Sequence, residues 1–413
     1  MKHRLICMTL PVLLAGAASA QEGLYSVGAD VQDSIPLKWV VGVSAIYDDN
    51  VGAGRGGLEE NSFAINPSVG ASFISITPQT TWDVYVRLGI IYYLDAPGNI
   101  DEFNSQSRVG VNLTHRFSER LRFVSRNFVS YELEPDYAYG YASARTAGEY
   151  FHWSTDNSVG YRWSERFGTY TGLRITGTNY TDVSDNDRLN WQLYNQFRYQ
   201  LSPQTVLTAD YRYGQTSGDG RSSDSEDHYV LGGFEHRFSP STVGVLSAGV
   251  QFRDMDDGDS NTRPYLEASF RTRVNEQFSI RSFVRYGMEY YDTVQYLDIN
   301  NDAILDPIEY DDRITMRLGV TAEYMISPML SVFAGVDYIP TSFESGRSIS
   351  TPPLLGGIPD ADEDLVNAHI GLSVRFNDFV TGSLSYNFTN SSSDIVNRDY
   401  DRNRISLGVS AEF

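Results

Sequence analysis

The feature that most constrains this chain is a rhythm of connections. From Leu37 onward, segments of about 10 to 14 residues alternate apolar with polar side chains, and two kinds of connection join them in strict rotation. One kind is long, polar and acidic, and the other is only two to five residues long. Alternation of period two places one set of side chains on each face of a β-strand. The first nine segments are Leu37–Tyr47, Ser62–Ile76, Trp82–Leu94, Ser105–Arg116, Leu121–Leu133, Tyr150–Trp163, Phe167–Tyr180, Leu189–Gln200 and Thr205–Gln215. The second nine are His228–Arg237, Thr242–Arg253, Pro264–Arg273, Phe278–Tyr291, Arg313–Met325, Leu330–Phe343, Leu365–Phe376, Phe379–Asn390 and Arg404–Phe413. Eighteen strands, nine long loops and eight tight turns predict an all-β fold, a transmembrane antiparallel β-barrel. In that fold the short turns and both termini lie in the periplasm, and the acidic loops face outside.

The faces follow from the alternation. Ile314, Met316, Leu318, Val320, Ala322 and Tyr324 should meet lipid, leaving Thr315, Arg317, Thr321 and Glu323 inside. Leu121–Leu133 is the least regular strand, because Arg122, Val124 and Arg126 share a face with Phe128. The turns resemble one another: Phe-Ser-Glu-Arg at 117–120, Leu-Ser-Pro-Gln at 201–204, Phe-Ser-Pro-Ser at 238–241 and Ile-Ser-Pro-Met at 326–329. Proline presets φ for a turn, and serine can hydrogen-bond the local backbone.

Both ends of the chain fit export to a membrane. Lys2, His3 and Arg4 precede a mostly apolar stretch from Leu5 to Ala17, followed by the small residues Ala18-Ser19-Ala20. This is the pattern of a cleaved signal peptide over 1–20, with a periplasmic lead-in over 21–36 and the barrel over 37–413. At the other end, Ile405, Leu407, Val409, Ala411 and Phe413 alternate with Arg404, Ser406, Ser410 and Glu412. The ending resembles the C-terminal signal of bacterial outer-membrane β-barrels. That resemblance implies recognition by the barrel-assembly machinery through Phe413, and closure of the last strand against the first.

Composition narrows the function. The chain has 32 Lys and Arg against 53 Asp and Glu, a formal charge of −21, which argues against nucleic acid as a partner. Aromatic residues make up 13%, with 28 Tyr and 21 Phe, as expected where rings form girdles at two interfaces. Tyr92, Tyr93, Tyr180, Tyr213, Tyr290 and Tyr291 are read as girdle residues near the outer strand ends. The single cysteine, Cys7, lies within the signal peptide, so the mature chain has no thiol chemistry.

Three constellations could carry chemistry. The first is the predicted inner wall. Arg87, Arg108, Arg116, Arg174, Arg212 and Arg271 fall on it, followed by Arg273, Arg281, Arg285, Arg317 and Arg375. Glu267, Glu289 and Glu323 share that face. Such a wall can set a field that selects ions or sugars, or its charges can mainly pair with one another; the sequence leaves both readings open. The second constellation is the stretch from Asp298 to Glu309. It resembles a calcium-binding EF-hand loop, with Asp298, Asn300, Asp302, Asp306 and Glu309 as ligands, although Ala303 stands where the turn wants glycine. Any calcium there would be structural, and no other cofactor is expected. The third is His369 with Ser373, four residues apart on one face without a third partner, so no enzyme activity is expected.

One further match is more specific. Tyr47-Asp48-Asp49-Asn50-Val51 ends the first strand, and Glu59-Glu60-Asn61-Ser62-Phe63-Ala64-Ile65-Asn66-Pro67-Ser68 opens the second. This opening resembles that of a β-barrel porin family of bacterial outer membranes. The resemblance implies an outer-membrane channel for passive diffusion of small hydrophilic solutes. Some relatives are associated with exopolysaccharide systems, which keeps an export-associated or surface-scaffold barrel without an open pore as the alternative.

Overall fold

The computed structural model describes residues 35–53, 59–96, 100–133, 149–181, 187–218, 224–256, 260–289, 294–297, 306–348, 358–395 and 398–413. The expected signal peptide over 1–20 and nearly all of the expected lead-in over 21–36 lie outside the described residues. The strands of the first half are β1 (Ile35–Asp48), β2 (Ser62–Ile76), β3 (Thr80–Tyr93), β4 (Phe103–Arg116), β5 (Leu121–Glu132), β6 (Tyr150–Arg162), β7 (Phe167–Tyr180), β8 (Arg188–Ser202) and β9 (Thr205–Gly218). Those of the second half are β10 (Ser225–Ser239), β11 (Thr242–Met255), β12 (Asn261–Arg273), β13 (Phe278–Met288), β14 (Val294–Leu297), β15 (Asp306–Ser327), β16 (Leu330–Ser348), β17 (Ala361–Arg375), β18 (Val380–Ser393) and β19 (Tyr400–Glu412).

All of them belong to one antiparallel sheet, and the sheet closes. β19 returns to β1 with Val40 opposite Glu412 and Asp48 opposite Arg404. Closure satisfies the backbone of both would-be edge strands, which is what a lipid environment demands. β13 and β14 both pair with β15, Met288 standing opposite Ile314 and Val294 opposite Glu309, so they are two parts of one stave. The wall therefore has eighteen staves, the expected number.

Register decides which side chains face out. Val41, Val43 and Ala45 on β1 stand opposite Val69, Pro67 and Ile65 on β2, and opposite Ala411, Val409 and Leu407 on β19. The large apolar residues of this face are exposed, as are Leu88 and Ile90 on β3, Val336 on β16 and Ile370 on β17. Left in water, such a continuous belt would cost about 25 cal/mol for each Å² of apolar surface, so it is a lipid-facing belt. Aromatic rings mark its borders. Tyr47 lies against Phe63 at 4.9 Å and Tyr92 against Phe103 at 4.6 Å on the loop side. On the turn side, Phe117, Phe238, Phe376 and Phe413 are exposed.

The tight turns work as their sequences suggest. Ser118 Oγ accepts from the backbone N–H of Arg120 and Leu121, and Ser164 Oγ accepts from those of Arg166 and Phe167. Where serine is absent, Asn275 and Asn377 serve: their Oδ1 atoms accept from Gln277 and Phe278, and from Phe379 and Val380.

The irregular β5 keeps unbroken register with β4 and β6, so Arg122, Val124, Arg126 and Phe128 share the inward face and Ser125 and Asn127 face outward. Two expectations change. Tyr93 and Tyr180 are buried on the inner face, because neighbours in a strand cannot share a side. Tyr93 packs with Ile46, Val51, Ala64, Ile91, Ile100 and Leu133 at the mouth; Tyr290 and Tyr291 lie outside the described residues. Finally, β15 and β16 reach 22 and 19 residues, well beyond the expected Arg313–Met325 and Leu330–Phe343. Their arms hold a second small core of Ile308, Tyr310, Phe343, Ala361 and Ile395, and Ser345 bends one arm at φ 56°.

Candidate functional site: the inner wall

The inward positions of every stave converge on one space. Their rings are kept low by glycines on neighbouring strands. A Cβ on Gly110 would come within 2.2 Å of the Tyr85 ring, one on Gly172 within 2.4 Å of Tyr194, and one on Gly371 within 2.3 Å of Phe333. Each aromatic side chain thus lies flat on the wall instead of projecting across the lumen.

Charged groups form a path around this wall. Arg108, opposite Arg87 on β3, donates to Glu132 from Nε at 2.8 Å, and its guanidinium sits 5.3 Å over the Phe128 ring. Arg174 donates to Asp156 Oδ2 from Nε at 3.0 Å and Nη2 at 2.8 Å, while the Tyr194 hydroxyl donates to Oδ1 at 2.7 Å. Arg212 reaches from β9 to Glu267 on β12 at 2.6 Å, and the Tyr265 hydroxyl donates to the same carboxylate at 2.9 Å. Glu289 accepts from Arg285 at 2.6 Å and from Arg317 at 2.8 Å. A buried pair, Arg198 with Glu235 at 2.6 Å, lies toward the turns and is extended by Gln196 to Asp210.

Pairing therefore accounts for Arg108, Arg174, Arg212, Arg285 and Arg317. The wall is not uniformly closed over, however. Arg271 and Arg281 stand opposite one another on β12 and β13, and both side chains are exposed, as is Ser383 on β18. Arg116 and Arg273 end their strands on the turn side and are exposed. Glu323 stands opposite Ser279, and Arg375 opposite Thr381, both on the inward register. Arg87 faces inward with Asp83 and Tyr85.

The acidic partners Glu132, Asp156 and Glu235 were missed by sequence reasoning. Asp156 was accessible to it: Ser154, Asp156, Ser158 and Arg162 alternate along β6 on one face. Of the calcium-loop residues, Asp298, Asn300 and Asp302 lie outside the described residues, and Asp306 is described only as the backbone start of β15. Glu309 belongs to that strand rather than to a loop, and its buried carboxylate accepts from Arg347 Nη2 at 2.7 Å. His369 covers Gly335 and packs against Phe333 at 6.3 Å.

The Tyr-Asp-Asp-Asn-Val motif has a clear structural place. Asp48, fully buried, accepts from Arg402 Nε at 3.0 Å with Arg404 at 3.7 Å. Asp49 accepts from the backbone and side-chain nitrogens of Asn403 at 2.6 and 2.7 Å. Asn50 Nδ2 donates to the Asp401 carbonyl at 2.8 Å, and Val51 enters the mouth core. The motif ties the first strand to the last.

No protein-family profile matches the sequence, and no curated protein matches it. Solved barrels superpose loosely. OpdK of Pseudomonas aeruginosa, crystallised with vanillate, is 12% identical, with a TM-score of 0.45 over 91% of this chain and 99% of that one. OccK2 (OpdF) of the same organism, in complex with glucuronate, is 11% identical with a TM-score of 0.46 over 92% and 98%. The siderophore receptor PirA of P. aeruginosa is 11% identical with a TM-score of 0.42 over 92% of this chain and 81% of that one.

Proposed function

We propose that this chain is an outer-membrane channel through which small hydrophilic solutes diffuse passively. One observation carries the reading: the sheet closes on itself, yet inward side chains toward its turn-side end, Arg271, Arg281 and Ser383, remain exposed. A barrel packed shut at that end would bury them. Eighteen staves at ordinary spacing and tilt enclose a backbone diameter of roughly 35 Å, wide enough for water and a solute. The lipid-facing belt supports a membrane location, and the tight turns on one side support a periplasmic end there.

The wall has two tasks in this reading. Paired arginines and carboxylates, such as Arg212 with Glu267, keep a charged surface in place without a large net field. The exposed Arg271 and Arg281, opposite one another, present guanidinium donors that a carboxylate or hydroxylated solute would meet on passage. Channel recordings in planar bilayers test the proposal directly: discrete openings support it. A folded, inserted barrel without conductance would favour the scaffold alternative, for which the long arms of β15 and β16 are the natural surface.

A further inference from the structure

The outer belt has one sector that breaks its own rule. Midway along β5 and β6, Ser125, Asn127, Thr155 and Asn157 point outward and form a closed ring of hydrogen bonds. Ser125 Oγ donates to Asn157 Oδ1 at 2.7 Å, and Asn157 Nδ2 donates to Thr155 Oγ1 at 2.7 Å. Thr155 Oγ1 donates to Asn127 Oδ1 at 2.7 Å, and Asn127 Nδ2 returns to Ser125 Oγ at 3.0 Å. The patch continues onto β7 and β8, where Asn195 Nδ2 donates to Thr171 Oγ1 at 3.1 Å. Its other polar atom, Asn195 Oδ1, is buried and accepts nothing.

Register leaves no doubt about the side. Asn127 stands opposite Thr155, Asn157 opposite Leu173 and Asn195 opposite Thr171, in line with exposed Val129, Val159, Leu193 and Phe197. Other outward amides whose side chains are described, Asn179, Gln215, Asn390 and Asn403, sit near the loop-side ends of strands, where water can reach them. At mid-height there is only lipid, in which a donor or acceptor without a partner is costly.

We propose that the β5–β8 wall is the contact face of a homodimer, formed by two copies related by a two-fold axis normal to the membrane. Such an axis keeps every residue at its own height, so the polar patch of one copy meets the same patch of the other. The match is chemical as well as positional. Half-buried Asn157 uses one hydrogen of its Nδ2 and one lone pair of its Oδ1 within the ring, so the Asn157 of each copy offers the other both a donor and an acceptor. An unrelated membrane protein would have to carry the same groups at the same depth; a second copy does so necessarily. The inference rests on the lipid-facing belt and not on conduction, so it stands or falls separately from the channel reading.

Cross-linking in membranes tests it. In a Cys7→Ser background, Val159→Cys beside the patch and Val336→Cys on β16, across the barrel, are both exposed and outward. A short thiol cross-linker should give at least ten-fold more dimer at position 159 than at 336. Equal yields, or none at 159, would overturn the proposal. Replacing the ring by Ser125→Ala, Asn127→Leu, Thr155→Val and Asn157→Leu should abolish that dimer while the barrel still folds; a dimer that persists refutes the patch as its cause. Should that variant not fold, Asn157→Leu alone should lower the cross-linked fraction several-fold, and an unchanged fraction is equally damaging.

Discussion

The closing sector, β19–β1–β2, and the sector β5–β8 differ in where they hold their polar side chains. At the seam, the mid-wall outward positions are apolar through Val41, Val43, Leu407 and Val409, and the ion pairs lie inside, Asp48 with Arg402 at one end and Lys38 with Glu412 at the other. In β5–β8 polar groups occupy both faces: Arg174 and Asp156 within, the Ser125–Asn157 ring outside. The seam must fix register between strands 354 residues apart in sequence, which a buried, bidentate ion pair does and an apolar face cannot. The other sector has neighbours close in sequence and needs no such lock. Its outward polarity serves a surface rather than closure.

That contrast can be broken most forcefully at Asp48. Asp48→Ala leaves the Arg402 guanidinium buried without its carboxylate, and we expect a loss of about 3–5 kcal/mol in urea unfolding of the reconstituted barrel. A loss under about 1 kcal/mol would mean that the seam is held by backbone pairing alone. The outer ring should respond differently. Asn157→Ala strands the Ser125 donor in lipid and should cost about 1–3 kcal/mol in the same assay. The four-fold apolar replacement removes all four partners together and should be close to neutral for folding of the single barrel. If the four-fold variant proves the less stable of the two, the ring is a folding element and the distinction between the sectors fails. Smallest of all is Lys38→Ala: the pair with Glu412 is part-exposed at the turn side, so about 0–1 kcal/mol is expected.

How much of this was legible beforehand follows from the range of each interaction. Strand number and facing are carried by a period of two that repeats in every segment, and the last strand was rightly matched to the first. Asp48 and Arg402 were both in view, yet nothing in the alternation says that one clasps the other, because that depends on the register of closure. Ile308 and Tyr310 were hidden in an acidic stretch and extend β15 only because Phe343, Ala361 and Ile395 arrive from elsewhere to cover them. The outward ring was visible merely as an irregular strand. Its members lie on two strands and make sense only once β5 and β6 are aligned. The partners of the wall arginines were similarly obscure, since Arg212 finds Glu267 three strands away.

We propose that the closed wall encloses a water-filled passage with arginines in its lining. Reconstituted into planar bilayers, the protein should show discrete, stable openings, and Arg281→Glu should move the reversal potential in a salt gradient toward cation preference. A correctly folded barrel that conducts nothing, or one whose ion preference is indifferent to the charge at position 281, would contradict it.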